Sequence, residues 1–325
     1  MGRYDDILIF LYGTSPAGPF TYMENSPVSY KPTGFIGGAG HGCIFTAGSE
    51  NYWKAATNSI SVRHMFERRV SFYPSGFDKD GYLFTNTYLG DYPMFLPGGK
   101  EQIAGEYQPG WMLLSYGKKV SVSSSLEGYP AENIVDEDAR TAWVAQSNRD
   151  MEWAQVDLQR LSSIHAIQVN FADYNFNVHA PHDPVVYQYY IEGSTNGKDW
   201  TRLGDEEKNL QDAPHKLYTL NVPAKVQYLK ICNTKDMEGS FSLFDLRVFG
   251  QGGGKVPAEV TGFQASRDNN DKRIYRFTWN PQENVTGYIL RWGTQKEKLT
   301  HSMVVYENQY EARYFNRDSE YYFSM

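Results

Sequence analysis

The chain alternates apolar and polar positions over short runs and does not repeat them at the spacing of an amphipathic helix. Ile167, Val169 and Phe171 are separated by Gln168 and Asn170, and Tyr228-Leu-Lys-Ile231 carries a shorter run of the same kind. Period-two spacing places such residues on one face of a strand. Asp80-Gly81 and Asn196-Gly197 fall between these runs, and both dipeptides favour the left-handed backbone of tight hairpins. No stretch shows three helical turns between capping residues. Gln251-Gly-Gly-Gly-Lys-Val-Pro257 has three successive glycines and a proline, which sustain neither helix nor strand, and reads as a linker. A softer boundary lies between 97 and 119, around Pro97-Gly98-Gly99 and Pro109-Gly110. The pattern predicts an all-β chain in three segments, 1–115, 116–250 and 258–325, with the linker at 251–257.

Composition sharpens this picture. Among 325 residues are 25 Tyr, 18 Phe and 7 Trp, an aromatic share of 15% that suits sheet faces and also surfaces that meet ligands. Net charge is −7, and the basic-to-acidic counts are 8 to 10 in residues 1–115, 13 to 19 in 116–254 and 10 to 9 in 255–325. No segment has the basic excess that nucleic-acid binding relies on, so no nucleic-acid partner is expected. Cys43 and Cys232 fall in different segments, which argues against an intradomain disulfide and excludes a cysteine-based zinc site. The apolar run Ile7 to Tyr12 is too short for a membrane span and weak as a signal peptide.

The middle segment carries the most specific motifs. Asn133-Ile-Val-Asp136-Glu-Asp138-Ala-Arg-Thr141-Ala-Trp143 is followed by Trp153-Ala-Gln-Val-Asp157-Leu158. Tyr189-Tyr-Ile-Glu-Gly-Ser194-Thr-Asn-Gly-Lys-Asp-Trp200, Tyr228-Leu-Lys-Ile231 and Phe244-Asp245-Leu-Arg-Val-Phe-Gly250 come next. In this order they resemble the F5/8 type C (discoidin) domain, including carbohydrate-binding module family 32. The resemblance implies a β-sandwich jelly roll with ligand loops at one end. Asp136, Glu137, Asp138 and Thr141 offer clustered hard oxygens, which suit Ca²⁺, or else form an acidic turn in solvent. The resemblance implies a structural calcium there, with Asp245 in the position of a further acidic ligand. Trp143, Trp153 and Trp200 occupy motif positions that imply core packing. For sugar contacts the candidate is the loop Asp173 to Asp183, with Tyr174, Phe176, His179 and His182 as stacking and gripping residues. An ordered surface loop is the alternative, and a metal site on the two histidines is a minor one.

The N-terminal segment reads Thr14-Ser-Pro-Ala-Gly18-Pro19-Phe20-Thr-Tyr22, then Gly37-Gly-Ala-Gly-His41-Gly, Arg68-Arg69-Val-Ser-Phe and Phe77-Asp78-Lys-Asp80-Gly81. These phrases follow one another as in the last blades of glycoside hydrolase family 43, whose fold is a five-bladed β-propeller. The resemblance implies a partial propeller over 1–115. That family inverts at the glycosidic bond with an acid and a base carboxyl, and its catalytic carboxylates come from earlier blades. No catalytic residue is therefore assigned in this chain. Asp78 and Asp80 fit a hairpin turn, and Asp91 is likewise not promoted. His41 is expected either to attend a metal ion near the propeller axis or to be a buried, hydrogen-bonded histidine. A partial set of blades is expected to leave apolar faces open.

Residues 258–325 resemble a fibronectin type III sandwich, with Trp279, Tyr288-Ile-Leu-Arg-Trp292 and a corner-type Tyr321. Its last strand is expected to be missing, so that both ends fall within domains. The combined expectation is a piece of a secreted, extracellular or cell-surface glycosidase that hydrolyses O-glycosyl bonds in polysaccharide. The piece would keep the accessory part, bind polysaccharide or oligosaccharide, and be inactive by itself. The alternative is a non-catalytic carbohydrate-binding or adhesion protein.

Overall fold

The computed structural model describes residues 11–23, 25–31, 34–47, 52–60, 68–95, 107–177 and 183–325. Strands dominate, and among the described residues the helical element is a single 3-10 turn, Ala131–Val135. The described residues form two compact units. One is built from 110–255, and the other joins residues up to 109 with 256–325.

The first unit is organised by two nineteen-residue strands, Trp153–Phe171 and His215–Asn233. They pair antiparallel from Trp153 opposite Cys232 to Asn170 opposite His215. The register shifts between Asp157 and Ser162 and again between Ile164 and Ala166, and irregularities of this kind bend a ladder without ending it. Before the bend, Lys119–Val122 pairs with the first strand, while Tyr189–Ser194 and then Trp200–Asp205 extend beyond the second. After the bend, Ser242–Gln251 takes the first strand's free edge, followed by Met112–Leu113. One ribbon therefore feeds two sheets, which close as a jelly-roll sandwich. Val156, Ile191, Leu229 and Ile231 from one sheet meet Ile167, Val169, Leu246 and Val248 from the other in a single core. The alternation read from the sequence is the inward face of this ribbon.

In the second unit, Gly37–Thr46, Tyr52–Ser59, Arg68–Phe77 and Leu83–Thr85 form a four-stranded antiparallel sheet in sequential order. One face holds buried Lys54, Ala56, Asn58 and Tyr73, whereas Phe45, Val70 and Phe72 on the other face are exposed. The buried face is polar, and two of its groups are hydrogen-bonded, while Asn58 Nδ2 is without a partner among the described residues. Lys54 Nζ donates to the Ala39 carbonyl at 2.7 Å and Tyr73 donates to Asn58 Oδ1 at 2.7 Å. Burial pushes the Lys54 ammonium down to about 8. The C-terminal part of this unit has two three-stranded sheets. One comprises Gln264–Arg267, Tyr275–Thr278 and Gln309–Ala312, the other His301–Val305, Tyr288–Gly293 and Tyr322–Ser324. Phe277, Trp279, Leu290, Trp292 and Phe315 fill the space between them, and Tyr88 packs onto the same cluster.

Close backbone approach fixes one position in the sandwich. A Cβ on Gly250 would lie 2.1 Å from the Ser163 carbonyl oxygen, across the strand pair that turns the corner. Gly250→Ala is expected to destabilise the first unit by about 2 kcal/mol, as an overpacked core site does. Urea unfolding followed by tryptophan fluorescence checks this.

Candidate functional site

Strand Trp153–Phe171 leads at one end of the sandwich into Asp173-Tyr174-Asn175-Phe176-Asn177. Asp173 (φ 49°) and Asn175 (φ 60°) are left-handed, a conformation that short polar side chains tolerate. The turn is tied down by its neighbours. Tyr187 OH donates to Asp173 Oδ1 at 2.7 Å, Tyr174 N–H to Ser242 Oγ at 3.2 Å, and Ser240 N–H to the Tyr174 carbonyl at 2.9 Å. A Cβ on Gly239 would stand 2.5 Å from both the Tyr174 carbonyl and the Phe176 ring, so only glycine lets the 237–241 loop close on the turn.

The two aromatic candidates of this turn do different jobs. Phe176 is half-buried against the sandwich core and meets Tyr187 edge-on at 5.6 Å, while Tyr187 stacks on Phe171 at 3.7 Å. Phe176 anchors the loop. Tyr174 is half-buried and meets Tyr129 at 4.9 Å, with the ring planes 69° apart. Tyr129 comes from a turn held by its N–H to the Leu126 carbonyl at 3.0 Å, with Gly128 at φ 83°. Sequence reasoning missed Tyr129, whose only signal is the Gly-Tyr-Pro turn composition. Asn175 and Asn177 are exposed on the same turn. His179 and His182 lie outside the described residues.

The acidic loop assembles on strand Ser242–Gln251. Nine of its ten residues are buried, including Asp245 and Arg247. Asp245 Oδ2 accepts the Glu137 N–H at 3.0 Å, and Glu137 is held left-handed at φ 61°. The Glu137 carboxylate takes Arg247 in a two-pronged pair, Nε at 2.6 Å and Nη2 at 3.0 Å, and Gln168 Oε1 accepts the remaining arm at 2.8 Å. Asp136 Oδ2 accepts Thr141 Oγ1–H at 2.6 Å and Oδ1 accepts the Asp138 N–H at 2.9 Å. Burial, then the Glu137 charge, hold the Asp245 carboxyl well above the usual carboxylate range, with Arg247 opposing and Asp136 adding to the shift. Burial likewise raises Asp136. The structure thus brings Asp136, Thr141 and Asp245 into one neighbourhood. The Asp138 carboxylate is taken up by Arg140, through Nε at 2.7 Å and Nη2 at 2.5 Å. Among the described residues no group of three or more His, Cys, Asp or Glu side chains has the arrangement of a metal cluster. The fit to a cation is therefore two carboxylates and a hydroxyl, a hard-oxygen set.

Other expected positions resolve as follows. His41 is exposed, so the buried, hydrogen-bonded alternative does not hold, because its strand presents that stretch outward. Trp143 is fully buried, but Trp153 and Trp200 are half-buried. This corrects their assignment to the core. Strand parity puts Trp153 outward with Gln155 and Asp157, and Lys230 covers the Trp200 ring at 4.0 Å. Asp78 accepts the N–H groups of Asp80 and Tyr82 at 3.0 and 2.9 Å, as its turn composition predicts. Asp91 is buried in an ion pair with Lys31 at 3.0 Å.

Residues 119–245 match the model of the F5/8 type C domain, and this stretch forms such a domain. No curated protein matches the chain. Among solved structures, chitosan-binding module 1 of a chitosanase/glucanase from Paenibacillus sp. IK-5 is 19% identical, covering 43% of this chain and 99% of the module at a TM-score of 0.36. The family 32 carbohydrate-binding module of Clostridium perfringens NanJ, in complex with galactose, is 20% identical and covers 43% of this chain and 98% of its own at 0.35. The lectin domain of lectinolysin, complexed with Lewis B antigen, is 18% identical, with 43% and 97% covered at 0.35. Among the described residues no helix is long and apolar enough to cross a membrane.

The two aromatic roles are separable by stability. Phe176→Ala is expected to cost about 2 kcal/mol through lost packing, whereas Tyr129→Ala costs about 1 kcal/mol, the loss of its ring contact. Thermal and urea unfolding of the two variants reads the difference.

Proposed function

We propose that the F5/8 type C domain binds a carbohydrate at the Tyr129–Tyr174 end of the sandwich. The observation that carries this reading is the half-exposed Tyr129–Tyr174 pair, held on anchored turns beside the exposed residues Asn175 and Asn177. Tyrosine rings offer a face to the C–H side of a sugar ring, and amides exchange hydrogen bonds with hydroxyls in both directions. Affinity electrophoresis of the whole chain in arabinan, xylan and galactan gels tests it. Retardation is expected on at least one polymer, with Tyr174→Ala weakening it about tenfold, the loss of roughly 1.4 kcal/mol. Unretarded migration on all three polymers counts against the reading.

The wider reading places this domain in the accessory part of an extracellular or cell-surface family 43-like glycosidase. Two features support it. The four-stranded sheet runs in sequential order, as a propeller blade does. In the C-terminal sheets, the Asn316 N–H donates to Tyr321 OH at 3.1 Å, the kind of bond a fibronectin-type tyrosine corner makes. Residues 14–93 carry phrases that resemble that family's last blades, and no catalytic carboxylate is assigned among them. The pure chain is accordingly expected to release no nitrophenol from an aryl arabinofuranoside or xyloside, and measurable turnover would overturn this assignment.

Asp136, Thr141 and Asp245 are the residues that would hold calcium in the same domain. The ion would supply positive charge to a loop in which buried carboxylates outnumber their one guanidinium. Calcium at a hundredfold excess over its dissociation constant would add about 2.7 kcal/mol, a rise of about 5–10 °C in the domain's melting temperature. Calorimetry with calcium or chelator checks this, and Asp245→Asn is expected to abolish the difference. An unchanged wild-type melt removes all three residues from a metal role.

A further inference from the structure

We infer that His301 is an acid-released latch between the N-terminal four-stranded sheet and the C-terminal sheet that carries His301–Val305. His301 is the cross-strand neighbour of Trp292, and its ring lies parallel to that indole at 5.1 Å with 7° between the planes. From the N-terminal part, Phe84 approaches at 5.2 Å and Tyr88 at 6.5 Å. The next residue joins the two parts directly, since the Ser302 N–H donates to Asn86 Oδ1 at 3.4 Å. Tyr88 also meets Trp292 at 5.1 Å, and Tyr92 OH lies 2.9 Å from Tyr306 OH. The imidazole therefore sits inside the seam, although the residue as a whole keeps some exposed surface.

The surroundings suit a neutral ring and not a cation. The polar neighbour of the imidazole is Thr300 Oγ1, 3.0 Å from Nδ1. Charged groups on the elements packed around it are committed elsewhere. Asp91, on the turn after Tyr88, pairs with Lys31, Asp78 accepts two backbone N–H groups, and Arg313 is bound to Glu311 at 2.7 Å. Asp80 accepts the Ser319 hydroxyl at 2.6 Å, and the remaining titratable side chains among the described residues lining the cavity beside the ring are Tyr30, Tyr88, Tyr314 and Tyr321, which stay neutral in acid. Burial alone pushes His301 down to about 3 from an ordinary 6.5. Stacking on Trp292 would attract an imidazolium, but desolvation outweighs it.

The folded seam prefers the neutral ring, so its contribution is complete above the unfolded value near 6.5 and is lost as pH falls toward 3. A cavity of about 60 Å³, lined by Asn25, Thr85, Thr300, His301 and Tyr314 among others, adjoins the ring. It admits a few water molecules but no sugar ring. Asn25 Oδ1 is buried without a protein partner, so the cavity offers water a polar foothold next to the group that takes the proton.

The test uses the whole chain between pH 8 and 3.5, comparing wild type with His301→Phe and His301→Gln. The wild-type ring proton resonance, assigned by its absence from the Gln variant, is expected not to titrate above pH 5. The melting transition of this unit is expected to fall about 10 °C further on acidification in wild type than in His301→Phe, while the F5/8 type C transition falls equally in both. Parallel melting curves in the two proteins would overturn the latch, and so would a ring that titrates near 6.5. If His301→Phe fails to fold, the Gln variant's curve and the wild-type resonance decide the question.

Discussion

The F5/8 type C domain depends on one constraint: two long strands must keep their backbone groups paired while passing from one sheet to the other. Buried N–H and C=O groups left without partners would be costly, so the ribbon cannot simply break at the corner. It shifts register instead, at Asp157/Ser162 and Ile164/Ala166, and resumes pairing with the side chains still sorted by face. Both sheets inherit their register from this ribbon. The 173–177 turn leaves directly from its end, and the 237–241 loop joins its second strand to Ser242–Gln251. Loop positions at the candidate site are thereby fixed by a core that lies elsewhere.

The same packing creates the acidic loop's electrostatic problem. Ser242–Gln251 is covered on both sides, so the residues alternating with core Leu246 and Val248 are also shut away from water. Arg247 is answered fully, by Glu137 in two prongs and by Gln168. Asp245 receives a backbone N–H from Glu137, but it shares the space with that residue's negative charge and with Asp136. The left-handed backbone at Glu137 is what allows one residue to give its N–H to Asp245 and its carboxylate to Arg247. The strain of that conformation is offset by one buried hydrogen bond and one buried ion pair.

What the sequence made legible is what short-range chemistry encodes. The alternation of Ile167, Val169 and Phe171 and the Asp78 turn are both present in the structure. Pairings set only in three dimensions are not legible in that way. Glu137 and Arg247 lie 110 positions apart, and neither has a local feature that announces the other. Phe176 and Tyr174 look alike in the sequence, and only the closure of Gly239 onto the turn decides that one ring is an anchor and the other a surface. Tyr129 has no partner nearby in sequence, because the Tyr174 ring it meets comes from a different loop. Motif position alone does not show that strand parity turns Trp153 outward or that Lys230 covers Trp200.

The other unit shows why composition and core membership are separate questions. Gln251 to Pro257 has the glycine and proline content of a linker, and it does lie between strand Ser242–Gln251 and the next strand at Gln264. A linker, however, marks where backbone is easily turned, not where a hydrophobic core must end. The cluster around Trp279 and Trp292 takes Tyr88 from before the F5/8 type C domain, and Asp80 accepts a hydrogen bond from Ser319 at 2.6 Å. Forming such contacts means closing a loop that contains a whole domain, yet loop-closure entropy grows only logarithmically with length. A handful of aromatic contacts, each worth about 0.5–1.5 kcal/mol beyond their burial, is therefore enough to hold the chain's first and last segments in one core. His301 sits among those contacts, where a single proton acts on the joint itself and not on either sheet alone.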